Sequence, residues 1–170
     1  MKQLRSHARG HQSRQRGFTM IETMIAIVIM SIGIITVLAA FGTAVAATQN
    51  AQENLIARQK ALEAMESIYT SRNTQQITFA QIANISSGGI FTDGPTQLLS
   101  PGPDGTLGTP DDTAMSLANF SRQIQIGTVL QTDGTINPNL KQVTVTVSYL
   151  SGGSSVPHSY TVNALISAFR

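Results

Sequence analysis

The hydrophobic pattern changes character twice along the chain. From Phe18 to Ala47 the residues are mostly Ile, Val, Met, Leu, Phe and Ala, and no charge occurs from Thr23 to Gln52. As a helix, roughly thirty residues span about 45 Å at 1.5 Å each, more than the ~30 Å of bilayer hydrocarbon. The segment is long enough to cross a membrane. Ala51, Leu55, Leu62, Met65 and Tyr69 then continue an apolar stripe at three-, four- and seven-residue intervals, flanked by Gln52, Glu53, Lys60, Glu63 and Glu66, as in an amphipathic helix. One helix from about Phe18 to Arg72 is predicted, with a membrane half at 18–50 and an amphipathic half at 51–73. Gly33 and Gly42 each cost about 1 kcal/mol against Ala in a helix interior. They serve either close helix packing or local unwinding.

After Asn73 the helical spacing ends. Residues 74–85 read as a short helix or a strand, and 86–118 as a long loop rich in Gly, Pro, Asp and Ser. Period-two alternation follows in three runs. Phe120, Ile124 and Ile126 alternate with Ser121, Gln123 and Gln125; Val143, Val145, Val147 and Tyr149 with Thr144, Thr146 and Ser148; Tyr160, Val162, Ala164 and Ile166 with Thr161 and Asn163. Turn chemistry in "DGTINPN" at 133–139 and "SGGSS" at 151–155 predicts an antiparallel meander of three half-buried strands. Its apolar face needs a cover, which the outer half of the helix supplies. The predicted fold is therefore α+β: a long N-terminal helix packed on a small antiparallel sheet, with residues 74–170 as the sheet domain.

Charge sharpens this division. The chain of 170 residues holds eleven Lys and Arg against nine Asp and Glu, but Lys2, Arg5, Arg9, Arg14 and Arg16 all precede the apolar segment. Residues 18–170 keep six bases against nine acids, a formal charge of −3. The remaining bases are scattered, so nothing resembles the clustered basic face that nucleic-acid binding needs. Positive charge before the span and Glu53 as the first charge after it place the N-terminus in the cytoplasm and residues beyond about 50 outside. The absence of cysteine excludes disulfides and thiolate chemistry. His158 is the sole histidine beyond the leader, beside Pro157, and no serine or threonine is paired with a base. No enzyme site emerges.

The start of the apolar segment reads "RGFTMIETMIAIVIM" at 16–30: a basic leader, then Gly17, Phe18, and Glu22 four residues later. This resembles the type IV pilin and type II secretion pseudopilin superfamily, whose leader ends in glycine and whose mature chain begins with phenylalanine and carries glutamate at its fifth residue. The resemblance implies removal of leader 1–17 between Gly17 and Phe18 by the membrane prepilin peptidase, and N-methylation of Phe18 by the same enzyme. It gives Glu22 the task of pairing with the positive terminus of a neighbouring Phe18 when subunits stack. It further implies residence in the bacterial inner membrane, with the C-terminal domain periplasmic, followed by incorporation into a pilus or pseudopilus. The partners would be other pilin subunits, met through the helix, and the inner-membrane assembly machinery. "LKQVTVTVSY" followed by "YTVNALIS" looks like minor pilins, and like minor pseudopilins of type II secretion.

A second stretch with chemistry is "SPGPDGTLGTPDD" at 100–112. Asp104, Asp111 and Asp112, with Gly102, Gly105 and Gly108 turning the backbone, either gather oxygens around a calcium ion or cap their own backbone in a solvated turn. The loop lacks EF-hand spacing, and no cofactor is required by anything else in the chain. Two further readings compete with the filament subunit. "AVA" at 44–46 resembles a signal-peptidase site, although Phe18 to Ala46 is nearly twice the usual 7–15-residue apolar region. An uncleaved single-pass anchor carrying a periplasmic domain is the other.

Overall fold

A computed structural model describes residues 17–114, 117–151 and 156–169. The leader before Gly17 and most of the predicted 151–155 turn lie outside them. A 54-residue helix, α1 (Met20–Asn73), leads into six strands, β1 (Thr96–Gln97), β2 (Leu99–Ser100), β3 (Thr113–Ala114), β4 (Phe120–Leu130), β5 (Ile136–Tyr149) and β6 (His158–Ser167). The fold is α+β. Chain contacts divide it into a first unit ending at Ala44 and a second from Val45 onward.

In the first unit α1 runs unbroken through Gly33 and Gly42, and a Cβ added at either would meet nothing within 4 Å. Its hydroxyl side chains are satisfied internally: Thr23, Ser31, Thr36 and Thr43 each donate to a carbonyl three or four residues back, at 2.7–2.9 Å. A helix that closes its own polar groups is what hydrocarbon tolerates. All of residues 17–50 are exposed, and the most apolar window of α1 contains no buried residue.

In the second unit the same helix covers a sheet. Its buried residues are Ala57, Ala61, Ala64, Met65, Ile68, Ser71 and Arg72. This corrects the predicted stripe: Leu55 and Leu62 stay 53% and 44% exposed, Ala51 is exposed, and only Met65 of that set is buried. The β-branched face of Val143, Val145 and Val147, fully buried, leaves room for small side chains on the helix. Alanines three and four residues apart therefore form the contact, and the larger leucines sit on the flank.

The main sheet is antiparallel in the order β1-β4-β5-β6, and β2 pairs with β3 in a separate two-stranded ladder. The β4-β5-β6 meander appears as predicted, with Phe120 opposite Tyr149 and Val145 opposite Val162. Three other expectations need correction. Residues 74–85 are mostly turns, ending at a 3-10 turn (Ile85–Ser87). The 86–118 stretch contains β1, β2 and β3, so the sheet has a fourth strand. Strands of two residues show no period to read. Finally, β5 begins at Ile136, inside the predicted 133–139 turn. A bulge between Thr128 and Val129 leaves Pro138, Asn139 and Leu140 without β4 partners, and a bulge is where a strand accepts proline.

Candidate functional site

The helix start is built by its own first residues. Gly17, Phe18 and Thr19 are non-helical and exposed, Phe18 at 82%. Thr19 caps the helix: its Oγ1 accepts from the Glu22 N–H at 3.3 Å and its carbonyl from the Thr23 N–H at 3.2 Å. Thr19-x-x-Glu22 has the spacing of a capping box, and it places Glu22 in the first turn, where the positive end of the helix dipole favours a carboxylate. Nothing lies within 4 Å of a Cβ built on Gly17. Cleavage after Gly17 would leave the new terminus at Phe18, one helical turn below Glu22, on a surface of uncovered apolar side chains including Ile21 and Ile25. Among the described residues no ion pair involves the Glu22 carboxylate.

A family model described as a prokaryotic N-terminal methylation motif matches residues 12–43. The chain carries a prepilin-type methylation motif. It supports a type IV pilin-like or pseudopilin protein, a class that is structural rather than enzymatic, and with the apolar helix it fits anchoring in the inner membrane. No curated protein and no solved structure matches the chain significantly.

The acidic loop sits elsewhere, on the sheet domain, and its carboxylates already serve protein donors. Asp104 Oδ1 accepts from the Thr106 N–H at 2.8 Å, and Asp111 Oδ1 from the Thr109 hydroxyl at 2.6 Å. Asp112 Oδ2 accepts from the Gly108 N–H at 2.7 Å and from Arg122 Nη2 at 3.3 Å. Among the described residues no three His, Cys, Asp or Glu side chains gather as a metal-holding group. The Thr109 hydroxyl holds the Asp111 carboxyl below its usual range, while burial pushes that of Asp112 up, against the Gly108 N–H and the Arg122 charge. The loop is fastened to α1. Leu107 is buried, its N–H donates to Ser67 Oγ at 3.0 Å, and the Thr106 hydroxyl donates to Ser71 Oγ at 2.7 Å.

Three residues that the sequence reading passed over hold this domain together. Arg122 is buried on the same face as Phe120 and Ile124, 2% exposed, and pairs with the equally buried Asp112 side chain. Its even position in the alternating run was the available signal. Asn84 acts as a strand: its Nδ2 donates to the Ile124 carbonyl and its Oδ1 accepts from the Ile126 N–H, both at 2.8 Å. Lys141 Nζ gathers the carbonyls of Phe79 at 3.0 Å and Ile82 at 2.7 Å and lies 4.8 Å from the Phe79 ring centre; burial lowers its pKa.

Proposed function

We propose that the chain is a prepilin, cut after Gly17, N-methylated at Phe18, and assembled through α1 as a minor structural subunit of a type IV pilus. The observation that carries this reading is the methylation motif at 12–43 lying over an exposed apolar helix whose first turn holds Glu22. Before assembly the helix keeps the subunit in the inner membrane, N-terminus cytoplasmic. Extraction moves its apolar surface from lipid onto neighbouring helices, so little hydrophobic free energy is lost. A charge at the bilayer centre costs about 2.5–3.5 kcal/mol on insertion scales and less near the interface. Pairing Glu22 with the Phe18 amine of a neighbour removes that cost and fixes the register between subunits.

The deciding measurement is intact mass with N-terminal sequencing of protein from cell membranes. A start at N-methylated Phe18 is expected, and a start at Ala47 or an intact Met1 refutes the reading. Glu22→Ala is expected to be processed normally and left out of filaments; normal incorporation would remove the register role. The same motif serves a minor pseudopilin of type II secretion. Deleting the gene separates the two, since loss of surface pili favours the pilus and loss of exported enzymes the secretion system.

A further inference from the structure

The two edges of the main sheet are finished differently. On the β4 side, β1 pairs with Ser121 and Arg122, the Leu98 N–H reaches the Phe120 carbonyl at 3.4 Å, and the Asn84 amide occupies Ile124 and Ile126. That edge is closed from Phe120 to Ile126. On the β6 side, the Ala168 N–H donates to the Asn139 carbonyl at 2.8 Å, extending the β5 ladder, so even-numbered residues of β6 face β5 and odd-numbered ones face outward. Helix α1 covers two of the outward carbonyls: the Tyr69 hydroxyl donates to Leu165 at 3.2 Å, and Arg72 Nη2 donates to Ser167. Among the described residues, no element reaches the outward backbone of Ser159, Thr161 or Asn163. From His158 to Phe169 there is no proline and no Asp, Glu, Lys or Arg, and the β5-β6 register runs without a bulge. The devices that normally keep an edge strand from pairing are missing there.

A second unfinished feature lies at the other end of the sheet. Strand β6 stops opposite Leu140, so beyond the bulge the β4-β5 hairpin is a bare two-stranded ribbon. Leu130 and Ile136 face each other across it, 63% and 57% exposed. Its tip is held in shape by Asp133, which accepts from the Thr135 N–H at 3.0 Å and its hydroxyl at 2.6 Å. The hairpin projects from the end of the sheet where Arg72 meets Ser167, and the open half of β6 begins at the end where Asn54 Nδ2 meets the Tyr149 hydroxyl at 3.3 Å.

We infer that the hairpin of one subunit, through its β4 flank at Thr128–Leu130, adds to the open Ser159–Asn163 edge of a second copy of this chain. Neither surface carries a charge except Asp133 at the tip, so nothing repels the approach. The β4 flank and the β6 edge lie on opposite sides of one sheet and are offset along it, the flank toward the end where Arg72 meets Ser167 and the edge toward the end where Asn54 meets Tyr149. Copies in a common orientation therefore meet edge to edge without a two-fold axis, and the contact repeats open-endedly. The inference rests on the filament reading, which supplies that common orientation, and it requires at least a short run of adjacent copies.

The cysteine-free chain permits a direct test. Val129 borders an outer-face depression with Asn163 and Leu165, and the Thr161 hydroxyl lies 3.0 Å from that of Thr146 on the same face. Full-length Val129→Cys/Thr161→Cys is treated in its own membranes and in sheared filaments with a short bifunctional maleimide, and its N-terminus is read by mass. A ladder of monomer multiples is expected from the double variant, dimers alone from an equal mixture of the single variants, and neither from a single variant by itself. Adding Leu130→Lys is expected to abolish the ladder. Protein that starts at Phe18 and enters filaments but gives no ladder overturns the contact and leaves the filament reading standing. A retained Met1 overturns both. Equal dimer formation from a mixture of the Gln123→Cys and Thr161→Cys single variants, in which the two cysteines never share a chain, or exclusive crosslinking to a different protein, overturns the second copy as occupant.

Discussion

Replacing Asn84 tests whether one side-chain amide does the work of a missing strand. Asn84→Ala removes both 2.8 Å bonds to β4, leaving the Ile124 carbonyl and the Ile126 N–H without a protein partner. An unsatisfied buried group costs about 1–3 kcal/mol. Asn84 is half-buried, so some water reaches the vacated space and the lower part of that range applies, about 2–4 kcal/mol for the pair. With a urea slope of about 2 kcal/mol/M the midpoint falls by roughly 1–2 M. Unfolding of the full chain in detergent can be followed by tyrosine fluorescence, because Tyr69, Tyr149 and Tyr160 all lie beyond residue 50 and tryptophan is absent. Asn84→Asp keeps the acceptor for Ile126 and turns the other oxygen against the Ile124 carbonyl. Its carboxyl is thus expected to titrate above the ordinary value, so this variant recovers stability as pH falls, the reverse of a salt-bridged aspartate. An Asn84→Ala change within 0.5 kcal/mol, the range of ordinary surface substitutions, or an Asn84→Asp variant indifferent to pH, would refute the strand-mimic argument.

Other substitutions probe the loop and its anchors. Arg122→Met strands the buried Asp112 carboxylate and is expected to cost about 3–5 kcal/mol by the same urea assay. Adding Asp112→Leu restores only part of it, because the Gly108 N–H then loses its acceptor. Gly108→Ala is expected to cost about 1–3 kcal/mol, since the residue sits at φ +94° with a would-be Cβ 2.4 Å from Ile124 Cδ1. The Asp111 carboxyl should titrate by NMR below its ordinary value near 3.8. Its stabilising contribution is present above that value and fades as pH falls through the folded-state pKa, and Thr109→Ala should move the titration upward.

What could be read from the chain was whatever repeats at short range. The apolar run, the length of α1 and the three alternating strands each rest on a period visible in consecutive residues. The processing motif rests on residues within a few positions of one another, from Gly17 to Glu22. Features made by distant parts of the chain were not legible. Strand β1 exists because Thr96 and Gln97 find β4, and the buried helix stripe went to Ala57, Ala61 and Ala64 because a valine face demanded small residues, a fact recorded about eighty positions away. Asn84 and Lys141 lie in or against stretches with no periodic signal. Arg122 was the exception, since a charge in register with Phe120 and Ile124 announces a buried partner.

The attachment of α1 to the sheet also has a mechanical consequence. Strands β4 to β6 lie alongside the helix, which is tied to them near one end by Asn50 to Ser151 and Asn54 to Tyr149, and near the other by Tyr69 to Leu165 and Arg72 to Ser167. The alanine–valine interface lies between these ties. Tension entering through the helix acts along this seam, loading all the ties and the apolar interface in shear at once. A seam peeled open from one end would yield them one at a time at low force; a seam loaded in parallel must give way together.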